Sequence, residues 1–158
     1  RAEELGVPIL LHPAMPMTTE QTKGYELTGT LGNMFENTIA MARIIASGLL
    51  DKHPKLKLVC PHLGGTLPYI CGRMDHQITV LKRSTQTLQR KPSEYLRRNA
   101  LWGFFEDRIG MKLRHEIGVE RIMWSTDDTN IRLLHNTSVS PCPAIPSVIL
   151  TVTQVNNL

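Results

Sequence analysis

The chain is poor in aromatic residues: three Phe, three Tyr and two Trp make up 5% of its 158 residues. Proteins that hold nucleic acid usually interleave aromatics with a basic stripe. Here the 18 Lys and Arg are spread along the chain, so a net charge of +4 does not read as a nucleic-acid surface. Cysteine is also scarce. Three thiols, Cys60, Cys71 and Cys142, without a C-x-x-C spacing, argue against a disulfide framework or a structural zinc site. They fit reduced thiols in a cytoplasmic protein. No run approaches the roughly 18 apolar residues that span a bilayer, so no membrane partner is expected. The opening, Arg1-Ala2-Glu3-Glu4-Leu5-Gly6, lacks both a Met and a signal-peptide layout and reads as the end of a helix in something longer. Residues 131–158 contain no Asp or Glu, and Arg132 is their one charged residue besides histidine.

What is present is a soluble, globular composition, 41% hydrophobic and 20% charged. The length suffices for one core but falls short of the roughly 250 residues of a complete (β/α)₈ barrel. Val7-Pro8-Ile9-Leu10-Leu11 is a short apolar run between Gly6 and His12-Pro13, the pattern of a strand buried on both faces. Met34, Phe35, Thr38, Ile39, Ala42, Ile45 and Leu49 recur at helical steps. Asn33 and Glu36 are spaced as a capping box, and Pro54 closes the helix. Leu56 to Cys60 reads as a second strand and residues 67–82 as a second helix. Pro92 opens a short helix, and Ala100 to Phe105 is a third strand. Residues 107–117 read as a third helix, with Asp107 and Gly118 at its ends. Arg121 to Trp124 is a fourth strand. Strand and helix therefore alternate, which predicts a parallel sheet covered by helices. Residues 131–158 break this pattern. Pro141, Pro143 and Pro146 break any helix before Val148, and residues 147–155 could form one strand.

Parallel α/β proteins bind ligands beyond the carboxyl ends of their strands. Three groups suited to a divalent metal or to acid/base work lie at such ends: His12 after the first strand, His62 after the second, and Asp127 after the fourth. Each has a plainer reading, since a histidine at a strand end is commonly a hydrogen-bonded structural residue and an aspartate there a turn former. Their equivalent positions in successive units favour a shared site. Gly64-Gly65 reads as a close backbone turn that could bring N–H groups towards a substrate anion. Arg73 and Asp75, inside the second helix, read as surface ion-pairing residues. Cys60 is not expected to act with His62 as a nucleophilic pair.

Several segments carry a resemblance. Val7-Pro8-Ile9-Leu10-Leu11-His12-Pro13, Phe35-Glu36-Asn37-Thr38-Ile39-Ala40, Gly48 to Leu58, Pro61-His62-Leu63-Gly64-Gly65-Thr66-Leu67-Pro68-Tyr69, Lys91 to Leu96, and Arg121 to Asp127 resemble the second half of the amidohydrolase-related family. These are metal-dependent barrel hydrolases and decarboxylases of the aminocarboxymuconate-semialdehyde and resorcylate decarboxylase kind. The resemblance covers roughly residues 4–127 and is most specific around His62. It implies a partial (β/α)₈ (TIM) barrel, approximately strands 5 to 8 with their helices, over residues 1–130, with an atypical tail at 131–158 that is disordered or a frame-shifted end. It also implies that His12 and Asp127 hold a divalent metal, zinc or alternatively manganese. His62 and Asp127 would be catalytic, and the partner would be a small carboxylic-acid, amide or ester substrate.

The sequence departs from the family in two ways. The family's first strand carries a His-x-His pair, which this chain lacks, and the residues after Asp127 differ. The expected function is therefore a decarboxylase or hydrolase of which this piece alone is inactive. The alternative is a non-catalytic truncated remnant, or an interaction module lacking a complete metal site. Open sheet edges would favour association into a homo-oligomer.

Overall fold

The computed structural model describes residues 1–13, 19–124 and 148–151. Its elements run α1 (Ala2–Leu5), β1 (Ile9–His12), α2 (Thr19–Thr22), α3 (Asn33–Ala46), α4 (Leu49–Lys52), β2 (Leu58–Cys60), α5 (Leu67–Asp75), α6 (Pro92–Asn99), β3 (Ala100–Phe104), α7 (Arg108–Lys112), α8 (Arg114–Ile117), β4 (Ile122–Trp124) and β5 (Val148–Thr151). The strands form one sheet of order β4-β3-β2-β1-β5. Every neighbouring pair is parallel, with Ile9 opposite Leu58, Cys60 opposite Trp102 and Trp102 opposite Ile122. The first four strands with their helices are the predicted α/β unit, part of a (β/α)₈ barrel. Among the described residues, no helix is long and apolar enough to cross a membrane.

The strands alternate as a parallel sheet with one helix-covered face requires. Leu11, Leu58, Cys60, Ala100 and Trp102 are buried together with Ala40, Met41, Ile44 and Ile45 of α3, Leu67 of α5, and Tyr95 and Leu96 of α6. Side-chain hydrogen bonds then fix the helices to the loops. Asp51 accepts from the Tyr95 hydroxyl and, at 3.1 Å, from the Gln89 amide. The Tyr95 oxygen in turn accepts from the Arg90 amide at 3.1 Å. Asn99 Nδ2 reaches the carbonyls of Pro54 and Leu56 at 3.2 and 2.6 Å. Glu94 accepts from the Lys91 amide at 2.8 Å, which closes the start of α6.

Four local expectations change. Asn33 does not cap α3: a π-helical turn, Thr28–Gly32, runs directly into it, and Gly32 already has helical angles. Glu36, expected in a capping box, is buried instead. The second helix is α-helical only to Asp75 and continues as a π-helical turn, His76–Val80. Its Asp75 carboxylate bonds the Ser93 amide at 2.9 Å and the Ser93 hydroxyl at 2.6 Å, and so ties α5 to α6 where surface ion pairing was expected. The third helix divides at Leu113 into α7 and α8. The strand expected within 147–155 is present as β5, and it lines the edge of β1.

Candidate active site

His12 and His62 leave the carboxyl ends of adjacent parallel strands and converge. Their ring centroids are 6.2 Å apart, with the planes at 61°. His12 closes β1, and its Nδ1 lies 2.9 Å from the Pro13 carbonyl. A carbonyl can only accept, so Nδ1 carries a proton, and in the neutral ring Nε2 holds the lone pair. Metal-binding histidines are commonly oriented in this way. The donor chemistry at His12 therefore fits a divalent cation. Asp127 lies outside the described residues, and among those residues no cluster of three or more His, Cys, Asp or Glu forms a metal site.

His62 stands on an unusual turn. After Pro61, in extended backbone, four successive residues take positive φ: His62 at 54°, Leu63 at 49°, Gly64 at 75° and Gly65 at 65°. The two that are not glycine cost about 1–3 kcal/mol each. The glycines are required by proximity. A Cβ on Gly64 would lie 2.3 Å from the Trp102 ring, and one on Gly65 would lie 2.1 Å from the Met34 carbonyl oxygen. Leu63 is buried, and a Cβ on Gly110 of α7 would fall 2.2 Å from its Cδ1.

Hydrogen bonds hold the turn at both ends. Asn37 Nδ2 donates to the Pro61 carbonyl at 3.1 Å, and Thr38 Oγ1 accepts from the Thr66 amide at 2.9 Å. Each such bond contributes about 0.5–1.5 kcal/mol net. Inside the turn, the Gly64 amide bonds the Pro61 carbonyl at 3.0 Å and the Gly65 amide bonds the His62 carbonyl at 2.9 Å. The amides of Gly64 and Gly65 are thus consumed within the turn, and that of Thr66 by helix α3. The anion-facing role expected of Gly64-Gly65 is not available to them, whereas the tight turn into the next helix is as expected.

A cavity of about 410 Å³ opens beside His62, walled by Met34, Gly65, Glu106, Asp107 and Arg108 among others. None of its three charged residues was read as a site residue, Asp107 being taken only as a helix end, because they follow a strand whose end lacks a histidine. Asn37 and Thr38 escaped it because they lie within an apolar helical stripe. Cys60 is fully buried, and desolvation drives its thiol pKa far upward, so it offers no thiolate to the site.

The comparisons with known proteins agree with this architecture. The sequence profile of the amidohydrolase family matches residues 1–144. The gamma-resorcylate decarboxylase of a Rhizobium species is 32% identical over 134 residues, covering 79% of this chain and 41% of that protein. The crystal structure of 5-carboxyvanillate decarboxylase from Sphingomonas paucimobilis superposes with a TM-score of 0.70 at 29% identity, covering 80% of this chain and 40% of that one. A dihydroxybenzoic acid decarboxylase from a Polaromonas species, solved with manganese and the inhibitor 2-nitroresorcinol, gives a TM-score of 0.68 at 29% identity, covering 88% of this chain and 46% of that one. The chain spans less than half the length of these relatives. A family match over most of the sequence, on a parallel sheet that carries two histidines at its carboxyl end, establishes that the chain belongs to the amidohydrolase family.

Proposed function

We propose that this chain is the C-terminal part of a metal-dependent carboxy-lyase that removes CO₂ from a small hydroxylated aromatic acid. The observation that carries the reading is the convergence of His12 and His62 at one end of the parallel sheet. The resorcylate and carboxyvanillate decarboxylases similar to it supply the reaction class. In this reading His12 and Asp127 hold the divalent metal, and His62 is the acid/base residue beside it. Imidazole and carboxylate accept both zinc and manganese; the manganese in related structures favours manganese. When bound, the metal supplies a positive centre that polarises the substrate.

The chain's own residues do the rest. Pro13 fixes the His12 ring through its Nδ1 proton. The turn at 61–66 holds the His62 imidazole beside a cavity large enough for a single-ring acid. His62 then delivers a proton to the ring carbon. The bond to the carboxyl carbon breaks, its electron pair stays on the ring carbon, CO₂ departs, and the pair takes the proton from the imidazole. His62 regains a proton from solvent. A cytoplasmic location, without nucleic-acid or membrane partners, belongs to the same reading, as does a barrel unit at 1–130 followed by a tail whose residues 148–151 add a strand beside β1. The complete activity requires the remaining half of the barrel.

The test is metal content and CO₂ release by the full-length protein and its His12→Ala, Asp127→Ala and His62→Ala variants, with 2,6-dihydroxybenzoate and 5-carboxyvanillate as substrates. The first two variants should lose a near-stoichiometric divalent metal, and the third should keep it and lose turnover. Metal retained by both His12→Ala and Asp127→Ala would return these residues to structural roles and leave a non-catalytic member of the family.

A further inference from the structure

Helix α3, which packs against the sheet and α6, buries three polar residues, Glu36, Asn37 and Thr38, of which Asn37 and Thr38 reach one common target. Such positions normally hold apolar side chains. Stability alone does not account for Asn37, because its Oδ1 has no hydrogen-bond partner among the described residues, and an unsatisfied buried acceptor weakens a fold. What the two side chains share is their target. Asn37 holds the Pro61 carbonyl and Thr38 holds the Thr66 amide, the two ends of the left-handed turn that bears His62. Thr38 also donates its hydroxyl proton to the Met34 carbonyl at 2.8 Å, so a lone pair is left facing the Thr66 amide. The helix thus grips the turn on both sides of the histidine at fixed spacing.

We infer that Asn37 and Thr38 are positioning residues for His62: by clamping Pro61 and Thr66 to one rigid helix they set the direction in which the imidazole faces the space shared with His12. The inference rests on the reading of His62 as the proton donor. Without the Thr38 clamp the turn relaxes towards negative φ at His62 and Leu63, and the imidazole swings out of line while substrate contacts elsewhere are unchanged.

The experiment uses the full-length, manganese-loaded protein. The variants are Thr38→Val, which keeps the shape and removes the acceptor, Thr38→Ser, which restores it, and Asn37→Leu. Decarboxylation of 2,6-dihydroxybenzoate is measured alongside the ¹³C-histidine NMR signal of His62, assigned by its loss in His62→Ala. A displacement of about 1 Å lowers kcat about a hundredfold in Thr38→Val with KM changed less than about twofold, and Thr38→Ser recovers kcat to within about threefold of wild type. The His62 signal shifts or splits in Thr38→Val and returns in Thr38→Ser. If Thr38→Val does not fold, Asn37→Leu is read by the same criteria.

A folded variant that keeps its kcat and leaves the His62 signal in place overturns the inference. So does a loss that Thr38→Ser fails to recover. If His62→Ala turns over like wild type, the catalytic reading of His62 fails, and positioning is then decided by whether the wild-type His62 signal moves in Thr38→Val.

Discussion

Replacing Gly65 with alanine tests the tight approach of the His62 turn to helix α3. Two penalties act together. Gly65 has φ 65° and ψ −123°, a region that only glycine occupies comfortably, so alanine costs about 1–3 kcal/mol in backbone strain. The new Cβ would also lie 2.1 Å from the Met34 carbonyl oxygen and 2.6 Å from Thr38 Oγ1. The nearest obstacle is helix backbone, which cannot turn aside as a flexible side chain can. Forcing it apart is an overpacking event of about 1–3 kcal/mol, and it strains the Thr38–Thr66 bond as well. Together the two penalties cost about 2–6 kcal/mol, and at about 2–4 °C per kcal/mol for a chain of this size Tm falls by roughly 4–24 °C. Gly6→Ala is the matched control. Gly6 also has positive φ, at 66°, but nothing lies within 4 Å of its Cβ position, so only about 1–2 kcal/mol is lost. Thermal unfolding followed by circular dichroism compares the two. If Gly65→Ala melts within 2–3 °C of Gly6→Ala, about 1 kcal/mol, the crowding argument is wrong.

Other outcomes follow from groups fixed elsewhere in the fold. Desolvation and the Asp51 carboxylate raise the Tyr95 pKa to about 12. A raised pKa means that the folded state holds the phenolic proton more tightly than the unfolded state, whose value is about 10. The corresponding stability is therefore whole below pH 10 and is lost as pH rises through about 12. Denaturant titrations across that window should fall steeply for wild type and less for Tyr95→Phe. Asp75→Ala removes both acceptors that hold Ser93 and should cost about 1.5–3 kcal/mol in urea unfolding; a loss below 0.5 kcal/mol would make the link to α6 a surface contact. Iodoacetamide should label Cys71, which is partly exposed, well before Cys60, whose buried thiol becomes accessible only on unfolding. Mass spectrometry of partially labelled protein decides the order.

The strands were legible because each is a short apolar run ended by a residue that does something else: His12-Pro13 after Leu11, Pro61-His62 after Cys60. Periodicity found α3 but not its buried face: Ala40, Met41, Ile44 and Ile45 are buried, whereas Phe35 of the expected stripe is exposed. The pairing of His12 with His62 was also implicit, since equivalent ends of adjacent parallel strands must meet once the alternation is recognised. What the sequence concealed depends on contacts across the chain. A capping box at Asn33 is a local pattern, and here a π-helical turn made the cap unnecessary. The break at Leu113 has no sequence punctuation, because α7 and α8 bury no residue of their own. Asn37 and Thr38 read as ordinary residues of a helix, and their significance exists only where Pro61 and Thr66 come to meet them. Asp127, legible as a strand-end carboxylate, lies outside the described residues.

The two tryptophans provide a spectroscopic consequence. Trp102 is 2% exposed, with its ring lying against the Gly64 backbone two residues from His62, whereas Trp124 is 61% exposed at the end of β4. Iodide should therefore quench the emission of Trp124 and spare that of Trp102. The light that survives quenching reports on the histidine-bearing turn, so a movement of that turn can be followed optically in the unlabelled protein.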